Sequence, residues 1–295
     1  MRSDEYVKSL ESALPATQKL PAIFLAHGSP SLVMPSGATP PALASLGPDG
    51  DLAHFLDTFG PFLLERYHPK GIVVFSAHFE SRDGIEILDN DENKLYYDYY
   101  GFPDALYKLQ WRSKGSSNLV GRIEELLNSK NISNRRSQNQ RGLDHGVFAP
   151  FLHMFPLQEK AVFPIPVVEV SMHASADPQE LIRLGQALSP LRDEQILIIC
   201  GGLSIHNLRD FSQFNSVSAS QDVKDFERSV IQAAESPAEH RLEALAGLMQ
   251  HRGFQKAHPT AEHFVPLYIA SGAGSEGSAR TLCDVHGAVS IAFGV

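Results

Sequence analysis

Five short, continuous apolar runs constrain this chain more than any other feature. They are Ala22-Ile23-Phe24-Leu25-Ala26, Gly71-Ile72-Val73-Val74-Phe75-Ser76, Val167-Val168-Glu169-Val170, Gln195-Ile196-Leu197-Ile198-Ile199 and Val289-Ser290-Ile291-Ala292-Phe293. Runs of this length, rich in β-branched residues and lacking polar alternation, fit strands covered on both faces. Helical periodicity fills the gaps. Leu52, Phe55, Leu56, Phe59 and Leu63 share one face, and Pro61 is expected to kink or split that helix. Leu119, Val120, Ile123, Leu126 and Leu127 mark a second helix. Asp177-Pro178-Gln179-Glu180 has the pattern of a helix start with a capping box, followed by Leu181, Ile182 and Leu188. Val223, Phe226 and Val230, then Leu242, Leu245 and Leu248, mark two more. Strands alternating with helices predict a single-domain α/β sandwich: a central mixed or mainly parallel sheet flanked by helices.

The chain has 295 residues, enough for one large domain or two small ones at roughly 150 residues each. No internal repeat or long linker divides it, so one domain is expected over residues 21–295, after a polar leader of uncertain order over residues 1–20. The stretch from Pro30 to Gly50 is rich in Pro and Gly without periodicity, and reads equally as a lid over a site or a surface excursion. The net charge of -9 and the small basic cluster at Asn134-Arg135-Arg136 argue against a nucleic-acid partner. No apolar run approaches the roughly 20 residues that span a bilayer, so no membrane role is expected. The first residues lack a signal-peptide pattern, which makes a cytoplasmic location the default. Cys200 and Cys283 lie in unrelated contexts; Cys200 reads as a small core residue, and a disulfide is not expected in a reducing compartment.

The chain contains 13 histidines, and five occupy informative places. His27 follows the first apolar run, His78 the second, and His206 the run ending at Cys200. Open α/β sheets bind ligands beyond the carboxyl ends of their strands, so these three side chains are expected to converge. His145 lies in a turn leading into an apolar helix, and His263 lies near a helix start. A single histidine after a strand is more often a hydrogen-bonded core or surface residue. Several convergent imidazoles without nearby thiols point instead to a catalytic metal. His54, His68, His240 and His251 fit solvated helix positions. His258 and His173 are candidates for a pocket wall only.

At these residues the chain resembles a known family. Ala26-His27-Gly28-Ser29-Pro30, Ser76-Ala77-His78, Gly101-Phe102-Pro103, Leu143-Asp144-His145-Gly146 and Thr260-Ala261-Glu262-His263-Phe264-Val265-Pro266-Leu267 look like the signature segments of the class III extradiol ring-cleavage dioxygenases, of the DOPA-4,5-dioxygenase type. The likeness runs from about Pro21 to the C-terminus, and the five segments occur in the expected order. It implies metal ligation by His27, His78 and His263, and a proton-transfer role for His206, which can also approach the metal. It places His145 either behind the metal ligands or in contact with the substrate. The related protocatechuate branch uses a carboxylate as third ligand, so Glu262 is an alternative to His263. The expected metal is Fe(II), with Zn(II) also suited to an all-imidazole site.

The implied substrates are a small aromatic diol and O2. Binding a catechol through both oxygens requires loss of phenolic protons with an intrinsic pKa of about 10; His206 and His145 are the candidate acceptors. Ser29, Tyr100, Phe102 and His173 are expected to line the substrate pocket, and Asp144 could orient His145. Two other readings fit the histidines: a zinc-dependent hydrolase, and a non-catalytic metal-binding or scaffold protein of the same fold.

Overall fold

All five apolar runs form strands of one sheet. The computed structural model describes residues 3–137 and 141–295. Its strands are β1 (Ala22–Ala26), β2 (Gly71–Ser81), β3 (Ile85–Leu88), β4 (Glu92–Asn93), β5 (Ser113–Lys114), β6 (Asn134–Ser137), β7 (Val167–His173), β8 (Ile196–Gly202), β9 (Ala279–Cys283) and β10 (Ser290–Phe293). Eight of them pair in the order β6-β3-β7-β2-β8-β1-β10-β9, and β4 and β5 form a separate ribbon. The central four, β7, β2, β8 and β1, run parallel. β3 runs against β7 and β10 against β1, so the sheet is mixed about a parallel centre. Every residue of β1 and β8 is buried, as continuous apolar runs require when helices cover both faces.

The helices are α1 (Ser3–Ala13), α2 (Asp51–Tyr67), α3 (Ser117–Ser129), α4 (His145–Met154), α5 (Pro178–Leu188), α6 (Gln221–Ala234), α7 (Ala238–Ala246), α8 (Phe254–Ala257) and α9 (Pro266–Ala273). Pro61 does not split α2: the helix runs through it because Leu52, Phe55, Leu56, Phe59 and Leu63 are all buried on one face. Packing of that face outweighs the lost backbone bond. At α5 the Asp177 side chain accepts the Glu180 N–H at 2.9 Å. The expected box stays half-formed, since the Glu180 carboxylate accepts from Ser175 Oγ instead.

The leader is more ordered than its polarity suggests. α1 buries Leu10, and Leu14 and Leu20 follow it into the core; Met1 and Arg2 lie outside the described residues. Arg192, fully buried, ties this end of the chain to the C-terminus. Its guanidinium donates to the carbonyls of Leu20, Ala273 (2.7 Å) and Gly294 (2.7 Å) and to Glu276. The Pro30–Gly50 stretch is likewise pinned. A 3-10 turn at Pro30–Val33 buries Leu32, a second turn covers Pro41–Leu46, and the His153 ring bridges the Leu32 carbonyl and Asp57.

Candidate metal centre

Three adjacent parallel strands deliver the first three histidines to one crevice. His27 leaves β1 with its N–H bonded to the Gly202 carbonyl at the end of β8 (3.1 Å). Gly28 then turns the chain at φ +73, a conformation that favours glycine. His78 lies inside β2 rather than after it. Its pairing with β8 ends at Ser76, and its register with β7 is irregular between Phe75 and Glu80, so His78 sits where the strand leaves the regular ladder. His206 follows β8 on a loop laced to the segment before α9. Leu203 N–H donates to the His263 carbonyl (2.8 Å), His206 N–H to that of Ala257 (2.9 Å), and the buried His258 ring bonds the Ser204 carbonyl (2.9 Å). That lacing brings His263, remote in sequence, onto His206. The two rings stack 3.4 Å apart with planes 16° from parallel.

His27, His78 and His263 each offer a ring nitrogen within 4.8 Å of the others. Their ring centroids are 4.8 to 5.3 Å apart. The Nε2 atoms of His27 and His78 are buried and have no hydrogen-bond partner among the described residues. Burying such atoms unpaired is costly, and a cation at their meeting point removes that cost. Burial, then repulsion from neighbouring imidazoles, pushes His27 and His263 well below the usual histidine range. Burial likewise lowers His78 and His206 to about 4. His27, His78 and His263 therefore meet as neutral imidazoles at neutral pH, the protonation state that metal binding needs, with His206 neutral beside His263. The donor set fits a divalent metal.

Two carboxylates stand behind the rings. Glu262 Oε1 lies 3.0 Å from His263 Nδ1 and 3.6 Å from His206 Nδ1. A bond from His263 Nδ1–H to Glu262 leaves Nε2 as the free lone pair. Glu262, His206 and His263 also form a possible ligand set, separate from the one that His27 and His78 share with His263. Asp98 does the equivalent for His145, accepting from its backbone N–H (3.0 Å) and lying 2.8 Å from its Nδ1. Burial would raise the Asp98 carboxyl, but the His145 bond and nearby imidazoles hold it below its usual value.

Not every residue expected at the pocket is found there. Asp144 does not orient His145. It caps α4 by accepting the Gly146 N–H (3.0 Å), and it accepts Ser76 Oγ–H (2.6 Å). Tyr100 points into solvent, 91% exposed; Tyr99 is the tyrosine that meets the cluster, 5.7 Å from the His145 ring. Phe102 stands one ring further out, 5.4 Å from Tyr99. His173 binds the Ser175 N–H and faces Glu180, in a separate surface cleft with Gly84 and Arg183. Ser29 lies beside His27, its hydroxyl engaged with Ser31 in the turn it caps. His258 is fully buried beneath the His206 loop, against Phe254 and Phe264.

Asp98 was the residue missed, although it interrupts the Tyr96–Tyr100 aromatic stretch as its one charge. The stretch reaches His145 because Tyr96 N–H bonds the Leu143 carbonyl and Leu143 N–H that of Lys94, both at 2.8 Å.

A parallel-centred sandwich whose imidazoles converge at one end of its central strands fits a metal-dependent enzyme, and comparison with known proteins gives the family. Residues 21–294 match the family described as the catalytic LigB subunit of aromatic ring-opening dioxygenase. A fission yeast protein named 4,5-DOPA dioxygenase extradiol-like protein is 45% identical over 294 residues, covering 99% of this chain and 97% of that one. The 4,5-DOPA dioxygenase extradiol of Beta vulgaris is 30% identical over 261 residues, 88% of each chain. A crystal structure of an uncharacterized Escherichia coli K12 protein superposes with TM-score 0.68 at 24% identity, covering 94% of this chain and all of that one, and supports the fold. The chain belongs to the LigB family of class III extradiol dioxygenases. It is an extradiol ring-cleaving dioxygenase, a non-haem metal-dependent enzyme acting on an aromatic substrate with O2. Among the described residues no helix is long and apolar enough to cross a membrane.

Proposed function

We propose that His27, His78 and His263 hold one Fe(II) ion and that the substrate is a small catechol of the DOPA type. The observation that carries the assignment is the meeting of three neutral imidazoles, His27 and His263 buried and His78 partly so, within 4.8 Å, two with unpartnered Nε2 atoms. When bound, the metal would coordinate the catechol and relay electrons from it to O2. An all-imidazole set also accepts Zn(II), so metal identity is part of the test. The substrate class rests on the names of the relatives from fission yeast and Beta vulgaris.

The chain's own residues then divide the remaining work. His206, neutral and stacked on His263, takes a phenolic proton and returns it later, a service typically worth about 10²–10⁴-fold. His145 is held as the Nδ1–H tautomer by Asp98 and turns Nε2 toward the substrate as an acceptor. Tyr99, with Phe102 beyond it, gives a flat ring an edge to pack against. Ser29 lies at the rim beside His27. The buried, unpaired thiols of Cys200 and Cys283 suit a reducing compartment, in keeping with a cytoplasmic enzyme.

The test is anaerobic reconstitution with Fe(II) or Zn(II), followed by O2 uptake and formation of a yellow ring-opened semialdehyde on a panel of catechols. His27→Ala, His78→Ala and His263→Ala are expected to lose metal and activity together. His206→Ala is expected to keep metal and lose turnover. An Fe(II)-loaded protein that opens none of the catechols overturns the substrate class, and full metal content in His263→Ala overturns the third-ligand assignment.

A further inference from the structure

One charged residue interrupts the central strands. Glu169 lies in β7, fully buried, in the register position opposite Val74 of β2. Side chains alternate along a strand, so Glu169 shares the sheet face that carries Ser76 two residues beyond Val74. Neither Glu169 oxygen has a hydrogen-bond donor among the described residues. A buried carboxylate in that position would lack any donor, with the Arg141 charge offsetting its burial only in part.

The carboxyl that bears on it is that of Asp144, which Ser76 on the same face holds by a hydrogen bond. Asp144 is already well supplied with donors. Its Oδ1 accepts Ser76 Oγ–H at 2.6 Å and Gly146 N–H at 3.0 Å, and its Oδ2 accepts an Arg141 N–H at 2.9 Å. Those bonds suit the ionised form. Burial, reinforced by the Asp144 charge, pushes the Glu169 carboxyl well above its usual range. Two carboxyls that cannot both be charged share a proton.

We propose that Glu169 is a permanently neutral carboxylic acid whose O–H donates to Asp144, and that this acid pair positions the metal ligand His78 and the start of the helix that carries His145. Ser76 Oγ, held by Asp144, accepts the His78 backbone N–H at 3.2 Å. Arg141, held by the same carboxylate, donates to the His78 carbonyl at 2.9 Å. Asp144 also caps α4 through its backbone carbonyl, which accepts the Val147 and Phe148 N–H groups at 2.9 Å. Removing the Glu169 proton would set two like charges together and pull Asp144 away from Ser76. Glu169 touches no substrate; it acts through Asp144. The inference rests on the proposed metal site only for its consequence, since the acid pair itself is independent of the reaction.

The experiment compares wild type, Glu169→Gln and Glu169→Leu. Gln reproduces a neutral donor, whereas Leu keeps bulk and removes the donor. An infrared difference spectrum at neutral pH, wild type minus Glu169→Gln, is expected to show a protonated carboxyl band that moves in D2O. Zn(II) affinity, read by competition with a chromogenic chelator, is expected to match wild type in Glu169→Gln. In Glu169→Leu it is expected to fall about 10- to 100-fold, the usual effect of losing support behind a ligand. The visible bands of Co(II)-substituted protein should shift in Glu169→Leu and not in Glu169→Gln. Absence of the carboxyl band overturns the proposal, as does a Glu169→Gln protein that misfolds or loses metal. Wild-type affinity and Co(II) bands in Glu169→Leu overturn the positioning role. A wild-type protein that binds neither Zn(II) nor Fe(II) overturns the metal site, while the infrared band still decides the acid pair.

Discussion

Asp98 Oδ1 lies 2.8 Å from His145 Nδ1, and its other oxygen lies 3.5 Å from His78 Nδ1. One carboxylate thus orients a candidate proton acceptor and a candidate metal ligand together. Asp98→Asn keeps the size but lets the His145 ring take either tautomer. Turnover is expected to fall by about 10²-fold or more, on the scale seen when an orienting carboxylate is neutralised. Steady-state rates at saturating catechol, with metal content measured alongside, check this. Unchanged turnover would show that His145 takes no proton.

Glu262 offers a similar test with a different discriminating outcome. If it only holds His263 Nδ1, at 3.0 Å, Glu262→Gln should weaken metal binding by about 10- to 100-fold and leave the bound metal active. Complete loss of metal would instead identify Glu262 as a ligand. Equilibrium dialysis followed by metal analysis separates the two.

Gly146 marks the closest approach of α4 to β2. A Cβ there would meet Ser76 Oγ at 2.6 Å, His78 Cδ2 at 2.9 Å and Asp144 Oδ1 at 3.1 Å. Gly146→Ala must therefore displace the His78 ring or the Asp144 cap. The expected result is a folded protein with weakened metal affinity and a Tm lowered by several degrees, equivalent to about 1–3 kcal/mol of overpacking. Near-wild-type affinity would mean that His78 can shift without cost to the site.

The sheet centre was legible in the sequence because β1, β2, β7, β8 and β10 are dense in apolar, β-branched residues. β3, β6 and β9 escaped notice. Asn134-Arg135-Arg136-Ser137 pairs with β3 at the sheet margin, where strands need little burial and carry charge. The histidines after β1 and β8 could be placed from strand ends alone. His263 could not: only the tertiary lacing between the Leu203–Asn207 loop and the Lys256–His263 segment sets it against His206, and no spacing rule encodes that. Asp98 and Glu169 were visible as lone charges in apolar surroundings, yet a lone charge does not announce its partner. Tyr100 was taken for Tyr99 because an aromatic stretch does not reveal which ring faces inward.

Arg192 tests how far the two chain ends depend on one side chain. It is fully buried and satisfies the carbonyls of Leu20, Ala273 and Gly294 while pairing with Glu276. Arg192→Ala leaves those buried carbonyls unpaired, each at a cost of about 1–3 kcal/mol, while the half-exposed Glu276 is left in water. Urea unfolding should show a large fall in midpoint with little change in slope. A small loss would mean that water replaces the guanidinium.

The metal-free protein should lose stability in mild acid, and the sign follows from the histidines. Burial holds His78 and His206 at about 4 and His258 at about 3, against an ordinary value of 6.5. His27 and His263 are lowered in the same direction. Between about 6.5 and about 4 the unfolded chain therefore binds more protons than the folded one, so stability rises with pH across that window. It is fully present above about 6.5; the slope eases near 4, where His78 and His206 protonate in the folded state, and continues below it because His258 protonates only near 3. His286 opposes the trend. Although burial works against its charged form, the bond to Glu227 raises it, so its contribution is present at low pH and fades as pH rises through its folded value. Five lowered rings outweigh one raised ring, and the net expectation is a Tm that falls steadily on acidification. Calorimetry in the presence of a chelator measures it. A Tm that stays flat across the window would show that the cluster is hydrated and already protonates in the folded state.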